Sequence, residues 1–312
     1  MARSKVWVAG HNGMVGSAIV RHLQRTDAEV LTVNRSDLDL RQQGPVEHWL
    51  KVNRPDIVIV AAAKVGGILA NDSYPADFLH ENLVIQNNII HAAHLADVNR
   101  LVFLGSSCIY PKFAPQPIKE EALLTGPLEA TNEWYAIAKI AGIKMCQAYR
   151  KQFERRYISI MPCNLYGPND NFNLRSSHVL PALMRKFHEA KQRGESEVVV
   201  WGTGSPLREF LHVDDLASGV AFCMEHYDDY EHINCGAGAE VSIRGLADMI
   251  GAVVSFRGGL TFDTSKPDGT PRKLMDNSRI AALGWKPSIS LADGLNSTYR
   301  WFLENQQKLA AA

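Results

Sequence analysis

Short apolar runs rich in β-branched residues alternate with longer amphipathic stretches through the first half of the chain. The runs fall at Lys5 to Ala9, Glu29 to Val33, Asp56 to Val60 and Arg100 to Leu104, with another at Tyr157 to Met161. They are apolar on successive residues rather than on alternate ones, as expected of strands covered by helices on both faces. Between them, Met14 to Gln24, Pro45 to Val52, Ala76 to Ala96 and Asn132 to Phe153 read as helices. This alternation predicts an α/β fold, a Rossmann-type doubly wound parallel sheet. After Tyr166-Gly167-Pro168-Asn169-Asp170 the pattern is less regular. Strands are expected at Val198 to Trp201 and His232 to Asn234, and helices at Val179 to Gln192 and Leu216 to Glu225. The last elements fall at Ile243 to Val254, Gly259 to Phe262 and Leu291 to Glu304. The change of pattern marks off a smaller C-terminal α/β lobe.

With 312 residues the chain can bury a large core. Formal net charge is zero, which removes the electrostatic case for nucleic acid or an acidic membrane surface and favours a small-molecule partner. Five cysteines, odd in number and without Cys-x-x-Cys spacing, indicate neither a disulfide framework nor a metal site. Lys5 to Ala9 follows no basic-plus-apolar leader, and every apolar run is shorter than the roughly 20 residues that span a bilayer. A cytoplasmic protein is expected.

Gly10, Gly13 and Gly16 follow the first strand and open the first helix. There a glycine-rich turn lets backbone amides approach a pyrophosphate. The spacing is one residue longer than the common Gly-x-Gly-x-x-Gly fingerprint. The second strand leads into Asn34-Arg35-Ser36, with no carboxylate to bond a ribose. Arg35 can stack on adenine and pair with phosphate, which points to NADP(H). Tyr135 and Lys139, four apart on one helix, share a face, and an ammonium beside a phenol favours the phenolate. Gly105-Ser106-Ser107-Cys108 follows the fourth strand. Together the three motifs describe a site.

These motifs resemble the extended short-chain dehydrogenase/reductase superfamily. Further blocks narrow the likeness: Ala61-Ala62-Ala63-Lys64-Val65-Gly66-Gly67-Ile68, Ser106-Ser107-Cys108-Ile109-Tyr110-Pro111, Asn164-Leu165-Tyr166-Gly167-Pro168 and Lys266-Pro267-Asp268-Gly269-Thr270-Pro271-Arg272-Lys273. They are similar to the branch that both epimerises and reduces a GDP-4-keto-6-deoxy sugar with NADPH. The resemblance implies residues 1–165 as an NADP-binding domain, with returning segments from the second half, and 166–312 as mainly a substrate lobe. It implies Ser106, Cys108, Tyr135, Lys139 and His178 as catalytic groups. Cofactor contacts are implied from Gly10, Asn12, Gly13, Met14, Val15, Gly16, Arg35, Leu40, Ala62, Ala63, Leu104, Lys139, Pro162, Asn164, Leu165 and His178. Substrate contacts are implied from Ser107, Asn164, Lys186, Trp201, Arg208 and Asp268, and the assembly is expected to be a homodimer.

Several of these residues have a second reading. Without the resemblance Cys108 reads first as buried filler, an order the resemblance reverses, and His178 reads as a helix-opening residue. Lys186, Trp201 and Asp268 also fit an exposed helix lysine, a rim indole and a turn aspartate, and Asp214 and Asp215 fit a helix cap better than a substrate contact. Some relatives carry arginine at the positions of Asn12 and Ser36, so the preference for NADPH rests here on Arg35. The rival functions are another nucleotide-sugar epimerase or reductase, and a dinucleotide-sensing regulator. Regulators of that kind commonly lose the tyrosine or lysine kept here.

Overall fold

The computed structural model describes residues 4–174, 176–266 and 268–307, with the side chain of Ile68 left aside. Pro267, inside one of the blocks above, lies outside the described residues. In the first half, strands β1 (Lys5–Ala9), β2 (Glu29–Leu31), β3 (Ile57–Val60), β4 (Arg100–Leu104) and β5 (Arg156–Pro162) alternate with helices α1 (Met14–Leu23), α2 (Gln43–Asn53), α3 (Ile68–Ser73), α4 (Pro75–Leu95) and α5 (Glu133–Phe153). There follow β6 (Asn164–Tyr166), α6 (Val179–Arg193), β7 (Glu197–Trp201), β8 (Leu207–His212), α7 (Val213–His226), β9 (Ile233–Cys235), β10 (Glu240–Ser242) and α8 (Ile243–Val254). The chain then runs through β11 (Gly259–Asp263), β12 (Arg272–Lys273), α9 (Ser278–Leu283) and α10 (Leu291–Glu304).

Six parallel strands form the main sheet in the order β2-β1-β3-β4-β5-β9. Helices cover both faces of it, so Ile57, Val58, Ile59 and Val60 are all buried. From β1 the chain runs outward to β2 and returns to β3 on the other side, which opens a crevice at the C-terminal ends of these strands. Asp56 stops short of β3 and accepts from the Lys5 amide at 2.7 Å.

A second core joins Leu183, Met184 and Phe187 of α6 to Val198, Val200 and Phe210 and to Leu246 and Ile250 of α8. Around it lie β8, flanked by β10, β12 and β6, and the β7–β11 pair. The run at His232 to Asn234 returns from the second half to extend the main sheet against β5, and α7 packs on α1. Ile233 and Cys235 are wholly buried there, and a strand this short carries no mark of which sheet it will join. Asp214 and Asp215 do sit in the first turn of α7, but the cap is His212, whose ring accepts from the Asp214 amide. Asp215 instead holds the chain before α10, accepting from Ser288 and Ile289 amides.

Candidate active site

At the switch point the glycine turn is shaped by contact with its neighbours. Gly10 has φ +90, and a Cβ there would lie 2.6 Å from the Ala62 nitrogen. A Cβ on Gly16 would overlap the Gly10 carbonyl oxygen. Gly13 is less demanding, since its Cβ would meet that same oxygen at an ordinary 3.5 Å. Beside this turn is a cavity of about 460 Å³, lined by Gly10, His11, Asn12, Gly13, Arg35, Leu40, Ala62 and Ala63 among others. Its size and its glycine cradle fit a dinucleotide. Arg35 reaches this wall, and Asn12 donates to Asn34 Oδ1 at 3.2 Å. Met14, Val15 and Gly16 begin α1 and are not among the residues that line the cavity.

Sequence reading missed Asp39, Arg41, Lys64 and Glu81 in this cavity. Arg41 pairs with Asp39 at 2.7 Å and holds its carboxyl near 2, while Lys64 reaches Glu81 at 2.5 Å. Such surface charges signal nothing until α4 is packed alongside.

β4 ends at Leu104, and the chain turns at once into a short 3-10 helix, Ser107–Ile109. The Ser106 hydroxyl accepts from the Cys108 amide at 3.4 Å, which fixes both residues at the edge of the sheet. α5 runs past the same edge. Lys139, 3% exposed, donates to the Leu104 carbonyl at 2.8 Å and lies 5.7 Å from the centre of the Tyr135 ring. Burial lowers the Lys139 ammonium to about 8. Burial also pushes the Tyr135 phenol up, and Cys108 adds to that. The expected lowering of Tyr135 by Lys139 is therefore not what this arrangement gives, because burial of the phenol outweighs it.

Burial likewise raises the Cys108 thiol, with Lys273, Ser106 and Lys139 pulling it down in that order. Lys273, which acts on Cys108 here, is a residue that the sequence left unmarked. It pairs in register with Arg208 across β12 and β8, a neighbour 65 positions away. Burial lowers both cations, and each is held close to the site by the second lobe.

Of the other expected residues, Pro162 closes β5 opposite Cys235, and Asn164 and Leu165 lie on β6, where Asn164 donates to the Glu209 carbonyl at 2.9 Å. Ser107 is buried in the 3-10 turn. Trp201 is exposed, with the ammonium of Lys186 5.1 Å and that of Lys266 5.8 Å from its ring centre. Asp268 is occupied by the Thr203 turn, accepting from its amide at 2.7 Å and its hydroxyl at 2.9 Å. His178 stands at the start of α6 without capping it. The residue is exposed, yet enough protein is packed around the ring to lower its pKa by desolvation.

A crevice binding a dinucleotide, with a serine, a tyrosine and a lysine at the end of the fourth strand, defines a nucleotide-dependent oxidoreductase or epimerase. The chain belongs to the NAD dependent epimerase/dehydratase family, whose description matches residues 6–236. Within that family it is similar to proteins named GDP-L-fucose synthase. It is 63% identical to putative GDP-L-fucose synthase 2 of Arabidopsis thaliana, over 97% of this chain and 92% of the relative. To the GDP-L-fucose synthase of Escherichia coli it is 55% identical over 99% of each. The crystal structure of a GDP-L-fucose synthetase from Naegleria fowleri bound to NADP superposes with a TM-score of 0.90 at 30% identity, covering 98% and 96% of the two chains.

Proposed function

We propose that this chain is a GDP-L-fucose synthase. It epimerises GDP-4-keto-6-deoxy-D-mannose at both carbons flanking the ketone, then reduces the ketone with NADPH. The observation that supports this most is the grouping of Ser106, Cys108, Tyr135 and Lys139 at the end of β4, with Lys273 brought to Cys108 from the second lobe.

Protons beside a ketone are acidic because the carbanion spreads onto the carbonyl oxygen, so inversion needs a base on one face and an acid on the other. Cys108 and His178 take those roles. The hydroxyls of Ser106 and Tyr135 bond the carbonyl oxygen as negative charge collects there. Bound NADPH supplies the hydride that reduces the ketone. Tyr135 then gives its proton to the oxygen, and a phenol held above its ordinary pKa keeps that proton until an alkoxide, a stronger base, asks for it.

Residues 1–165 with β9 hold the cofactor, through Gly10, Asn12, Gly13, Arg35, Leu40, Ala62 and Ala63 at the adenosine end and Lys139 at the nicotinamide ribose. The remainder is mainly a substrate lobe, in which Arg208 bonds the diphosphate and Lys186 and Trp201 meet the nucleoside. Asp268 contributes by shaping the Thr203 turn. No helix among the described residues is long and apolar enough to cross a membrane, and we place the enzyme in the cytoplasm as a homodimer.

Mixing the protein with NADPH and GDP-4-keto-6-deoxy-D-mannose in deuterated buffer tests this. Cofactor oxidation with GDP-L-fucose deuterated at both flanking carbons is expected by NMR. An unlabelled, unepimerised product would make the chain a plain 4-reductase, and no turnover would point to another nucleotide sugar.

A further inference from the structure

Gly66 and Gly67 lie between the cofactor crevice and α3, in a block matched so far only as sequence. Gly67 has φ −66 and ψ 178, extended backbone open to any residue, so conformation does not call for glycine here. Space does. The Gly67 amide donates to the Ser176 carbonyl at 2.8 Å. A Cβ on Gly67 would lie 2.5 Å from the Ser177 carbonyl oxygen and 3.3 Å from its carbon. Both are backbone atoms and cannot rotate aside.

From the other side Asn71, itself buried, donates to the Gly66 and Gly67 carbonyls at 2.7 and 3.1 Å. The helix that begins here, α3, packs against the 130–132 turn that leads into α5 and Tyr135. Ser176 and Ser177 run directly into His178.

We infer that Gly67 is a positioning residue. Its bare backbone latches the Ser176–His178 segment onto α3 and so sets His178 relative to the helix that carries Tyr135. The catalytic consequence rests on the function proposed above; the latch itself does not.

The test compares Gly67→Ala with Gly44→Ala, where an added Cβ meets nothing within 4 Å. Four quantities are read: the His178 titration midpoint by proton NMR, deuterium incorporation into GDP-4-keto-6-deoxy-D-mannose, the NADPH dissociation constant, and exchange of the Gly67 amide in the unmodified protein. The Gly67 amide is expected to be protected. In Gly67→Ala the His178 midpoint moves up toward that of free histidine as the segment shifts and the protein packed around the ring loosens, and deuterium incorporation slows about tenfold or more. NADPH affinity stays within about twofold, and Gly44→Ala changes none of these.

An unprotected Gly67 amide overturns the latch, as does a His178 midpoint unmoved in a folded Gly67→Ala. Parallel loss of NADPH affinity and deuterium incorporation would make Gly67 a general packing residue instead. Should Gly67→Ala not fold, amide protection in the unmodified protein decides. If the unmodified protein incorporates no deuterium, the proposed function fails while the His178 midpoint still judges the latch.

Discussion

Cys108 holds its proton more tightly than an ordinary thiol, because burial outweighs the pull of Lys273 and Lys139. A base with a raised pKa is scarce as thiolate at pH 7 and gains about tenfold per pH unit until its midpoint is passed. Deuterium incorporation should therefore climb with pH through the neutral range and level off only above about 8.5, the usual thiol value. A profile already flat at pH 7 would remove Cys108 as the limiting base. Lys273→Met takes away the largest downward pull, so the same profile should shift to higher pH. Cys108→Ser should lose about 10²- to 10⁴-fold of the incorporation at both carbons while still binding NADPH. A different effect belongs to Asp170. It is buried, its Oδ1 accepts from the Asn171 amide at 2.7 Å, and its Oδ2 has no hydrogen-bond partner. Burial raises its carboxyl to about 7. The folded state thus keeps a proton between about 4 and 7 that the unfolded chain releases, so this group's contribution to stability falls as pH rises through that window. The Tm advantage of Asp170→Asn over the unmodified protein should grow from pH 4 to pH 7. A constant difference would show that the carboxyl does not titrate there.

At the scale of elements, the glycine turn is a set of unequal positions. Gly16→Ala drives a Cβ into the Gly10 carbonyl, whereas Gly13→Ala makes only ordinary contact. Gly16→Ala should lose about 1–3 kcal/mol of stability and weaken NADPH binding, and Gly13→Ala should change stability far less. Thermal melts with a fluorescence titration would compare them, and equal losses would contradict the geometry. The same turn was legible in the sequence because glycine spacing, strand and helix all point to one conformation. β4 and α8 fall where the apolar pattern puts them, and β1, β3 and α5 differ by at most a residue at either end. What escaped the pattern is the short helices α3 and α9 and the strands β6, β8, β10 and β12. The segment Leu-Arg-Glu-Phe-Leu-His of β8 mixes charge with apolar residues and becomes a strand through its neighbours: Glu209 is fully buried because the Gly238 and Met275 amides converge on its carboxylate. Half of the site depends on that pairing. Ser106, Cys108, Tyr135 and Lys139 lie within one stretch and could be read together, while Lys273 comes within electrostatic reach of Cys108, with Arg208 beside it, only once β12 lies beside β8.

For the molecule as a whole, α4 and α5 bear on whether the chain works alone. They pack on one another, with Gln86 donating to the Ala138 carbonyl at 2.7 Å and His91 bonded to the Tyr149 hydroxyl at 2.6 Å. Yet Trp134, Ile137 and Phe153 of α5 and Leu95 of α4 remain exposed. Apolar side chains left in water on two paired 21-residue helices are what an association surface requires. A second copy placed there would bury the same residues from both subunits in a four-helix arrangement, since a twofold axis presents each patch to itself. Ile137 is two residues from Tyr135, about 200° around the helix, so its own side chain is turned away from the tyrosine. Light scattering should give twice the 34.6 kDa of one chain, and Ile137→Asp should shift the protein toward monomer while leaving deuterium incorporation measurable. A single species of 34.6 kDa at micromolar concentration would leave those side chains as surface residues and the site as the work of one chain alone.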